Sequence, residues 1–244
     1  MPTFEIICLA NSIKYGGRCI AGFKTDGSGW IRPVSPKIDG TLYPEHYQLS
    51  NGEEPQLFSL LKIEFRKHHP QCHQPENWVI NERKWQHRGF AKLEQLNHLL
   101  ANEIYQASHR QLLGNASDRW KWDDLQNHPI SASLCLIRPK NLRWKIFTSR
   151  YRRKYRAIFT LHEVEYDLGV TDPSWMEIIE QLDDGEYPAH RVIEELNLEN
   201  FDPERFLFTI SLSGPFQPPG ETCDFCFKLV ATVINSKNVR TFLE

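Results

Sequence analysis

Apolar residues alternate with polar ones, or form short continuous runs, along most of the chain, and this spacing predicts strands. Residues 3–10 are nearly all apolar, which favours a strand that is buried over most of its length. Residues 18–23, 30–34 and 57–65 repeat the extended pattern, and clusters of Gly, Pro, Asn and Ser separate them. The first half of the chain therefore predicts a small β-sheet, with residues 11–17 as a polar turn that contains two glycines.

One long segment has helical spacing instead. Between residues 90 and 113, Leu and Ile recur every three or four positions, which predicts an amphipathic helix. Strand-like patterns return after residue 128 and continue to two closing strands near the end of the chain. Thr171 and Asp172 precede Pro173, which is typical of a helix start, and the acidic residues 183–205 resemble a loop. We expect a mainly β fold with interspersed helices and two domains, residues 1–128 and 129–244.

The composition is that of an ordinary globular protein. The 244 residues are 40% apolar and 25% charged, and the net charge of -2 excludes a protein that is basic all over but allows a local basic patch. No run approaches the ~18 apolar residues that a membrane-spanning helix needs, and the first ten residues resemble a strand rather than a basic leader. We therefore expect a cytoplasmic protein without membrane association.

The strongest electrostatic feature is a basic segment with strand-like alternation. Residues 138–156 contain nine Lys or Arg and no acid, and aromatic residues are interleaved with them. Closely spaced cations bind phosphates and aromatic rings stack on bases, so this hairpin predicts a surface for single-stranded nucleic acid. The predicted phosphate contacts are Arg143, Lys145, Arg150, Arg152, Arg153 and Lys154, and the predicted stacking residues are Trp144, Tyr151 and Tyr155.

A competing interpretation is that the hairpin is neutralised within the molecule. Residues 161–206 carry fourteen Asp or Glu against two Arg, which is enough acid to pair with the basic segment. The same acidic stretch is a candidate docking surface for a protein partner.

The turn at residues 11–18 is a second candidate site. Its glycines and cations can present backbone amides and positive charge to an anion, although it lacks the residue order of a phosphate-binding P-loop. Lys14 and Arg18, with Trp30 and Arg32 from the next strands, would extend a nucleic-acid path. Asn11 and Ser12 are further candidates in this turn.

Catalytic and metal-binding patterns are weak. Gln74, Glu76 and Asn77 form a polar group. No carboxylate or nucleophile lies at a sequence spacing from Glu76 that would indicate a catalytic pair, so we expect binding without catalysis. A histidine and cysteine group near residue 70 could combine with a distant CxxC pair, but this is a poor match to a zinc site. We predict no metal and no cofactor. That group consists of His68, His69, Cys72 and His73, with Cys223 and Cys226.

Several segments together resemble a known family. CLANSIKYGGRCIAG with WIRPVS, then HQPENWVI, then SLSGPF and FKLVATVI, are similar in order and spacing to the bacterial dual OB-containing domain family. The resemblance covers nearly the whole chain and implies two small OB-like β-barrels that recognise nucleic acid, without catalytic residues. OB barrels bind single strands on one curved face, which agrees with the basic hairpin.

We therefore predict a non-catalytic module that binds single-stranded nucleic acid or structured RNA. The first alternative is a protein-interaction module of a multi-component bacterial system, which would use the acidic stretch. The second is a sensor of a small ligand or nucleotide, which would use residues 11–18.

Overall fold

The first half of the protein forms a five-stranded barrel with one added strand. The computed structural model describes residues 1–92, 96, 101, 104, 111–150 and 152–235. The strands are β1 (Thr3–Lys14), β2 (Gly17–Lys24), β3 (Trp30–Val34), β4 (Ser59–His68), β5 (Asn77–Ile80) and β6 (Gln86–Phe90), and a helix, α1 (Pro44–Tyr47), lies between β3 and β4. The order is β1-β2-β3-β5-β4, β1 also pairs with β4 to close the barrel, and β6 adds to β4. Only β3 and β5 run parallel among these pairs.

The second half repeats this strand order. Its strands are β7 (Arg119–Lys121), β8 (Leu134–Ile137), β9 (Lys140–Ser149), β10 (Arg152–Leu161), β11 (Val164–Val170), β12 (Gly185–Pro188), β13 (Phe206–Leu212) and β14 (Phe225–Asn235). The helices are α2 (Trp122–Asn127), α3 (Pro173–Ile179) and α4 (Ala189–Glu195), with a 3-10 turn at Leu112–Gly114. The sheet order is β12-β9-β10-β11-β14-β13-β8, and β7 pairs with β14.

Strands β8 and β9 together take the place that β1 has in the first barrel. β8 pairs with β13 and β9 pairs with β10, and only residues 138 and 139 separate them. Pro139 has no N–H to donate, which explains the interruption. The following strands match as well, because β11 and β14 are parallel, as β3 and β5 are. Two OB-like barrels with interspersed helices are thus present, and the predicted fold class is confirmed.

The two barrels share a buried interface, which explains the uninterrupted apolar run of β1. Ile6 and Cys8 point into the first barrel, whereas Ile7 and Leu9 pack in a separate cluster. That cluster includes Leu207 of β13 from the second barrel. The strand is therefore apolar on both faces because one face covers its own barrel and the other covers the neighbouring barrel.

Two local predictions were wrong. β1 continues to Lys14, so Asn11 and Ser12 lie in a strand, and the turn consists of Tyr15 and Gly16 alone. Both have positive φ, 46° and 78°, as a tight two-residue hairpin requires. Residues 183–205 contain β12 and α4 rather than a loop. β12 is only four residues long and forms by pairing with β9, and a pattern within such a short segment cannot reveal this distant partner.

The other predictions concern a helix start, a long helix, the domain boundary and membrane-spanning segments. The helix start at Asp172 is confirmed, because its Oδ1 accepts hydrogen bonds from the N–H groups of Ser174 and Trp175. Most of the helix predicted between residues 90 and 113 lies outside the described residues. The domain boundary near residue 128 stays a prediction; β7, which precedes it, pairs with β14 of the second sheet. Among the described residues, no helix is long and apolar enough to span a membrane.

Candidate nucleic-acid interface

The basic hairpin of β9 and β10 has an apolar and a basic face, as its strand-like alternation predicts. Leu142, Trp144 and Ile146 face the barrel interior, and Arg143 and Lys145 point outward. The expected stacking role is wrong for Trp144 and Tyr155, however, because their rings lie in the barrel core. Trp144 is 0% exposed and packs 4.8 Å from the ring of Trp175, and Tyr155 is 8% exposed. The third stacking candidate, Tyr151, lies outside the described residues.

Two arginines of the hairpin pair with carboxylates of the acidic stretch. Arg143 contacts Glu165 at 3.0 Å and Glu186 at 2.6 Å. Arg156 pairs with Asp167. Intramolecular neutralisation, the competing interpretation, therefore accounts for part of the basic segment.

Arg153 makes contacts that hold the protein's own backbone. Its guanidinium donates to the carbonyl oxygen of Glu180 at 2.9 Å and to that of Leu182, and it lies 3.8 Å from the Asp184 carboxylate. Glu180 is the C-cap of α3, where a positive charge is favourable, and Leu182 lies in the turn that follows. Arg153 thus ties the hairpin to α3 and is poorly placed to contact phosphate.

Three cations at the hairpin turn, Arg150, Arg152 and Lys154, and Lys145 further along β9 have no ion pair with any described residue. We call them the turn cations. All except the half-buried Lys145 are exposed. The turn connects the first two strands of the second barrel, a position from which OB folds contact oligonucleotides.

In the first barrel, Arg18 and Asn11 belong to a closed polar network. Arg18 Nε lies 2.9 Å from the Glu54 carboxylate, which also accepts hydrogen bonds from Asn11 Nδ2 and from the Tyr47 hydroxyl. Their charge is thus internally balanced. Trp30 is partly buried and packs edge-on against Phe23, with ring centroids 5.7 Å apart.

Other predicted residues join the two barrels. Gln74 Nε2 donates to the carbonyl of Leu212 at 2.8 Å, and the Glu76 carboxylate accepts from the N–H and the hydroxyl of Ser133. The buried Ser12 hydroxyl donates to the carbonyl of Cys19 in its own hairpin. A role of Glu76 as acid or base is not favoured by this geometry, because both of its oxygens are already occupied.

Lys14, Gln74 and Asn77 meet at a cavity of about 650 Å³ between the barrels. Its walls come from the turn after β1, the loop at residues 35–40, the loop between β4 and β5, and Gly214 and Pro215 after β13. In OB folds, the loop between strands 1 and 2 and the loop between strands 4 and 5 are those that border the ligand site. The cavity therefore occupies the expected ligand position of the first barrel.

The charged groups at this cavity are mostly cationic. Lys14 Nζ donates to the carbonyl of Asp39, and burial, together with the charge of Arg32, lowers the pKa of Lys14 despite the nearby Asp39. Burial, with further contributions from Arg32 and Lys14, lowers the pKa of His73 to about 4. His73 is therefore neutral at pH 7 in the unliganded protein.

Arg32 lies behind the cavity floor and is 0% exposed. Its Nη2 donates to the hydroxyl of Ser211 at 3.0 Å, while Nε and Nη1 have no hydrogen-bond partner. No described carboxylate pairs with it. The prediction that Arg32 extends a surface path is wrong, because the guanidinium is enclosed between the barrels.

The histidine and cysteine group does not assemble as a metal site within the described ranges, which contain no cluster of three or more suitable side chains. His68 stacks on Trp78 and hydrogen bonds to the carbonyl of Pro75. None of the six cysteines, all of which lie in the described ranges, forms a disulfide. Cys72 Sγ lies 4.0 Å from His73 Nδ1, beside the cavity.

A family model for the dual OB-containing domain matches residues 4–233. The chain belongs to the dual OB-containing domain family. No curated protein matches the chain.

Two solved structures show only a distant likeness. The tetrameric p202 HIN2 is 7% identical, with a TM-score of 0.28 over 96% of this chain and 92% of that chain. A murine DNA-binding protein bound to double-stranded DNA is 8% identical, with a TM-score of 0.27 over 95% and 100%. Scores this low support no inference about this protein.

In this dual OB protein, sequence reasoning missed the residues that complete the cavity. The sequence pattern indicates His73 only as a metal ligand and indicates no role for Trp122. Their rings pack edge to face at 5.1 Å, and both line the cavity. A signal was present in the sequence, since His73 and Gln74 lie between strands 4 and 5 of an OB pattern, where ligand loops occur.

Proposed function

We propose that this protein is a non-catalytic module that binds single-stranded nucleic acid through the phosphate backbone. The observation that carries this proposal is the group of turn cations, which have no ion pair with a described residue. Lys145, Arg150, Arg152 and Lys154 lie on one hairpin of an OB-like barrel, and phosphate contacts of this kind give salt-dependent binding.

The burial of Trp144 and Tyr155 changes the expected character of the binding. Base stacking supplies about 1–3 kcal/mol per base in single-strand binders that expose aromatic rings. Without these two rings, the charge contacts dominate, so the proposal predicts weak sequence preference and a strong response to salt.

The test is fluorescence anisotropy with labelled single-stranded RNA, single-stranded DNA and duplex over a range of salt concentrations. We expect a triple variant, Arg150→Ala with Arg152→Ala and Lys154→Ala, to reduce the slope of log affinity against log salt by about 2, at ~0.7 per lost contact. The matched control changes Lys62, Lys67 and Lys84 to Ala, which removes the same charge from exposed positions of the first barrel. An equal loss in both triple variants would reject the hairpin as the binding surface.

The protein-interaction alternative stays a prediction. Four acids of the proposed docking stretch, Glu165, Asp167, Asp184 and Glu186, contact hairpin arginines. A failure of every nucleic acid to bind at low salt would favour this alternative.

A further inference from the structure

We infer that the cavity between the barrels binds a terminal phosphate group, with Lys14 and His73 as contacts and the buried Arg32 charge beneath them. The ligand class is a nucleotide phosphate monoester, supplied either by a free nucleotide or by the phosphorylated end of a strand. This site is separate from the turn cations and does not depend on the proposed function.

The first argument is the uncompensated charge of Arg32. A guanidinium taken out of water is costly unless an anion and hydrogen bonds replace the lost hydration. Here Ser211 accepts one hydrogen bond, and Nε and Nη1 are left without partners. No described carboxylate lies within ion-pair distance, so the charge lacks a counterion that a bound anion would provide.

The second argument is that Arg32 lies on the cavity side of β3. Val34, two residues further along the strand, lines the cavity, and residues two apart share a face of a strand. Arg32 is also the register partner of Asn77 on β5, which lines the cavity too. Asn77 is 3% exposed and its Oδ1 has no hydrogen-bond partner, so a second buried polar group at the floor is incompletely satisfied.

The third argument is the charge and hydrogen-bonding capacity of the lining. Lys14 Nζ donates only to a backbone carbonyl, and His73 Nε2 has no hydrogen bond to a described residue. Lys37 also lines the cavity, and among the described lining residues Asp39 alone has an acidic side chain, with Oδ1 accepting from the N–H of Thr41. The balance favours an anion.

The shape of the cavity favours a terminal phosphate over a phosphodiester. The floor is closed by hydrogen bonds between the barrels, from Gln74 to Leu212 and from Arg32 to Ser211. A phosphodiester carries chain on both sides of the phosphate, whereas a monoester carries it on one side and can place its terminal oxygens against a closed floor. The volume of about 650 Å³ lies within the ordinary range for small-molecule sites.

The upper walls suit a flat, partly apolar group attached to the phosphate. Trp122 lies beside His73, and the exposed side chains of Tyr15 and Ile38 border the opening. Aromatic surfaces of this kind stack on nucleobases without strong base preference. A nucleotide therefore satisfies both the charged floor and the apolar walls.

The experiment measures binding to the full chain by isothermal titration calorimetry and by thermal shift. The probes are inorganic phosphate, the four common nucleoside 5′-monophosphates and their parent nucleosides. We expect phosphate and the monophosphates to bind and raise Tm, and the nucleosides to have no effect. Lys14→Gln should weaken binding by about tenfold or more, as expected for the loss of a charge-assisted contact, and Arg32→Met should weaken it by removing the positive charge beneath the site. The matched control Lys62→Gln should bind as the wild type does.

Arg32→Met also separates a binding role from a structural one. Replacing an uncompensated buried charge by an apolar side chain of similar size is often neutral or stabilising. Loss of binding with an unchanged or raised Tm supports a ligand role. If Arg32→Met fails to fold, the affinity of Lys14→Gln relative to that of the wild type and of Lys62→Gln tests the inference.

Two oligonucleotides that differ only in a 5′-phosphate identify the source of the phosphate. Tighter binding of the phosphorylated strand indicates a strand end, and binding of mononucleotides alone indicates a free nucleotide. The inference is overturned if no phosphate compound binds, or if Lys14→Gln and folded Arg32→Met bind as tightly as the wild type. The triple variant of the hairpin turn should still bind monophosphates, which keeps this outcome distinct from that of the proposed function.

Discussion

Arg32 on β3 donates a hydrogen bond from Nη2 to the hydroxyl of Ser211 on β13, 3.0 Å away and 179 positions later in the chain. The contact crosses from one barrel to the other, and both side chains are buried. The polar side chains on the outer faces of these strands are thus neither solvated nor part of a barrel core. They form the junction between the barrels and enclose a cavity beside it.

A neighbouring contact predicts how strongly the junction is held. Thr209 Oγ1 donates to the carbonyl of Leu9 at 2.7 Å, and Leu9 lies where the register of β1 against β2 shifts. Thr209→Val keeps the shape but leaves that buried carbonyl without this donor, so we expect a loss of about 1–3 kcal/mol in the free energy of unfolding. Chemical denaturation measures it. Thr160→Val, at a half-buried position of β10, is the control; an equally small change in both variants would contradict the role of Thr209.

Adjacent arginines of the hairpin should behave differently. Arg153→Ala removes the donor that holds the carbonyls of Glu180 and Leu182, so we expect destabilisation of about 1–2 kcal/mol. Arg152→Ala, at an exposed position, should leave stability within about 0.5 kcal/mol of the wild type. Thermal and urea unfolding measure the stability of both variants. Reversed effects would mean that Arg153 does not tie the hairpin to α3.

Removing an acid from the hairpin should strengthen nucleic-acid binding. Glu186→Gln removes the ion pair between Glu186 and Arg143. A surface ion pair of this kind contributes at most about 1 kcal/mol to stability. We expect tighter binding and a salt dependence that is steeper by up to about 0.7, the value of one added phosphate contact.

Anisotropy titrations test this prediction. Glu194→Gln gives the same change in net charge at an exposed position of α4 and serves as the control. If both variants bind equally, net charge alone is responsible and Arg143 is not recruited.

His73 predicts a dependence of stability on pH. Its pKa is about 4 in the folded protein, below the ordinary value of about 6.5, so the unfolded chain binds more protons between these values. The contribution to stability is complete above pH ~6.5 and is lost as the pH falls toward 4, by at most about 3.5 kcal/mol at ~1.4 kcal/mol per pKa unit.

Urea denaturation at a series of pH values measures this loss. His73→Gln should flatten the curve in that window, whereas His69→Gln, at an exposed position, should retain the wild-type curve. Nuclear magnetic resonance of the His73 ring provides a direct check, because phosphate bound in the cavity should raise its pKa.

The sequence determined much of the fold through local patterns. The extended runs of β1, β3, β9 and β13, the helix start at Asp172 and the opposite faces of the basic hairpin all follow from spacing and capping chemistry. The order of the motifs was sufficient to identify the dual OB architecture. Such features are readable because each depends on residues within a few positions of one another.

Tertiary structure decided which side chains are available for binding. The ring of Trp144 on β9 packs against that of Trp175 on α3, and this contact between separate elements removes Trp144 from the binding surface. Arg143 looked unpaired until β11 and β12 brought Glu165 and Glu186 to it. The cavity was hidden for the same reason, since Lys14, His73 and Arg32 lie on three separate strands and loops, and Ser211 belongs to the other barrel. Burial and charge compensation depend on contacts between distant segments, and no pattern within one segment records them.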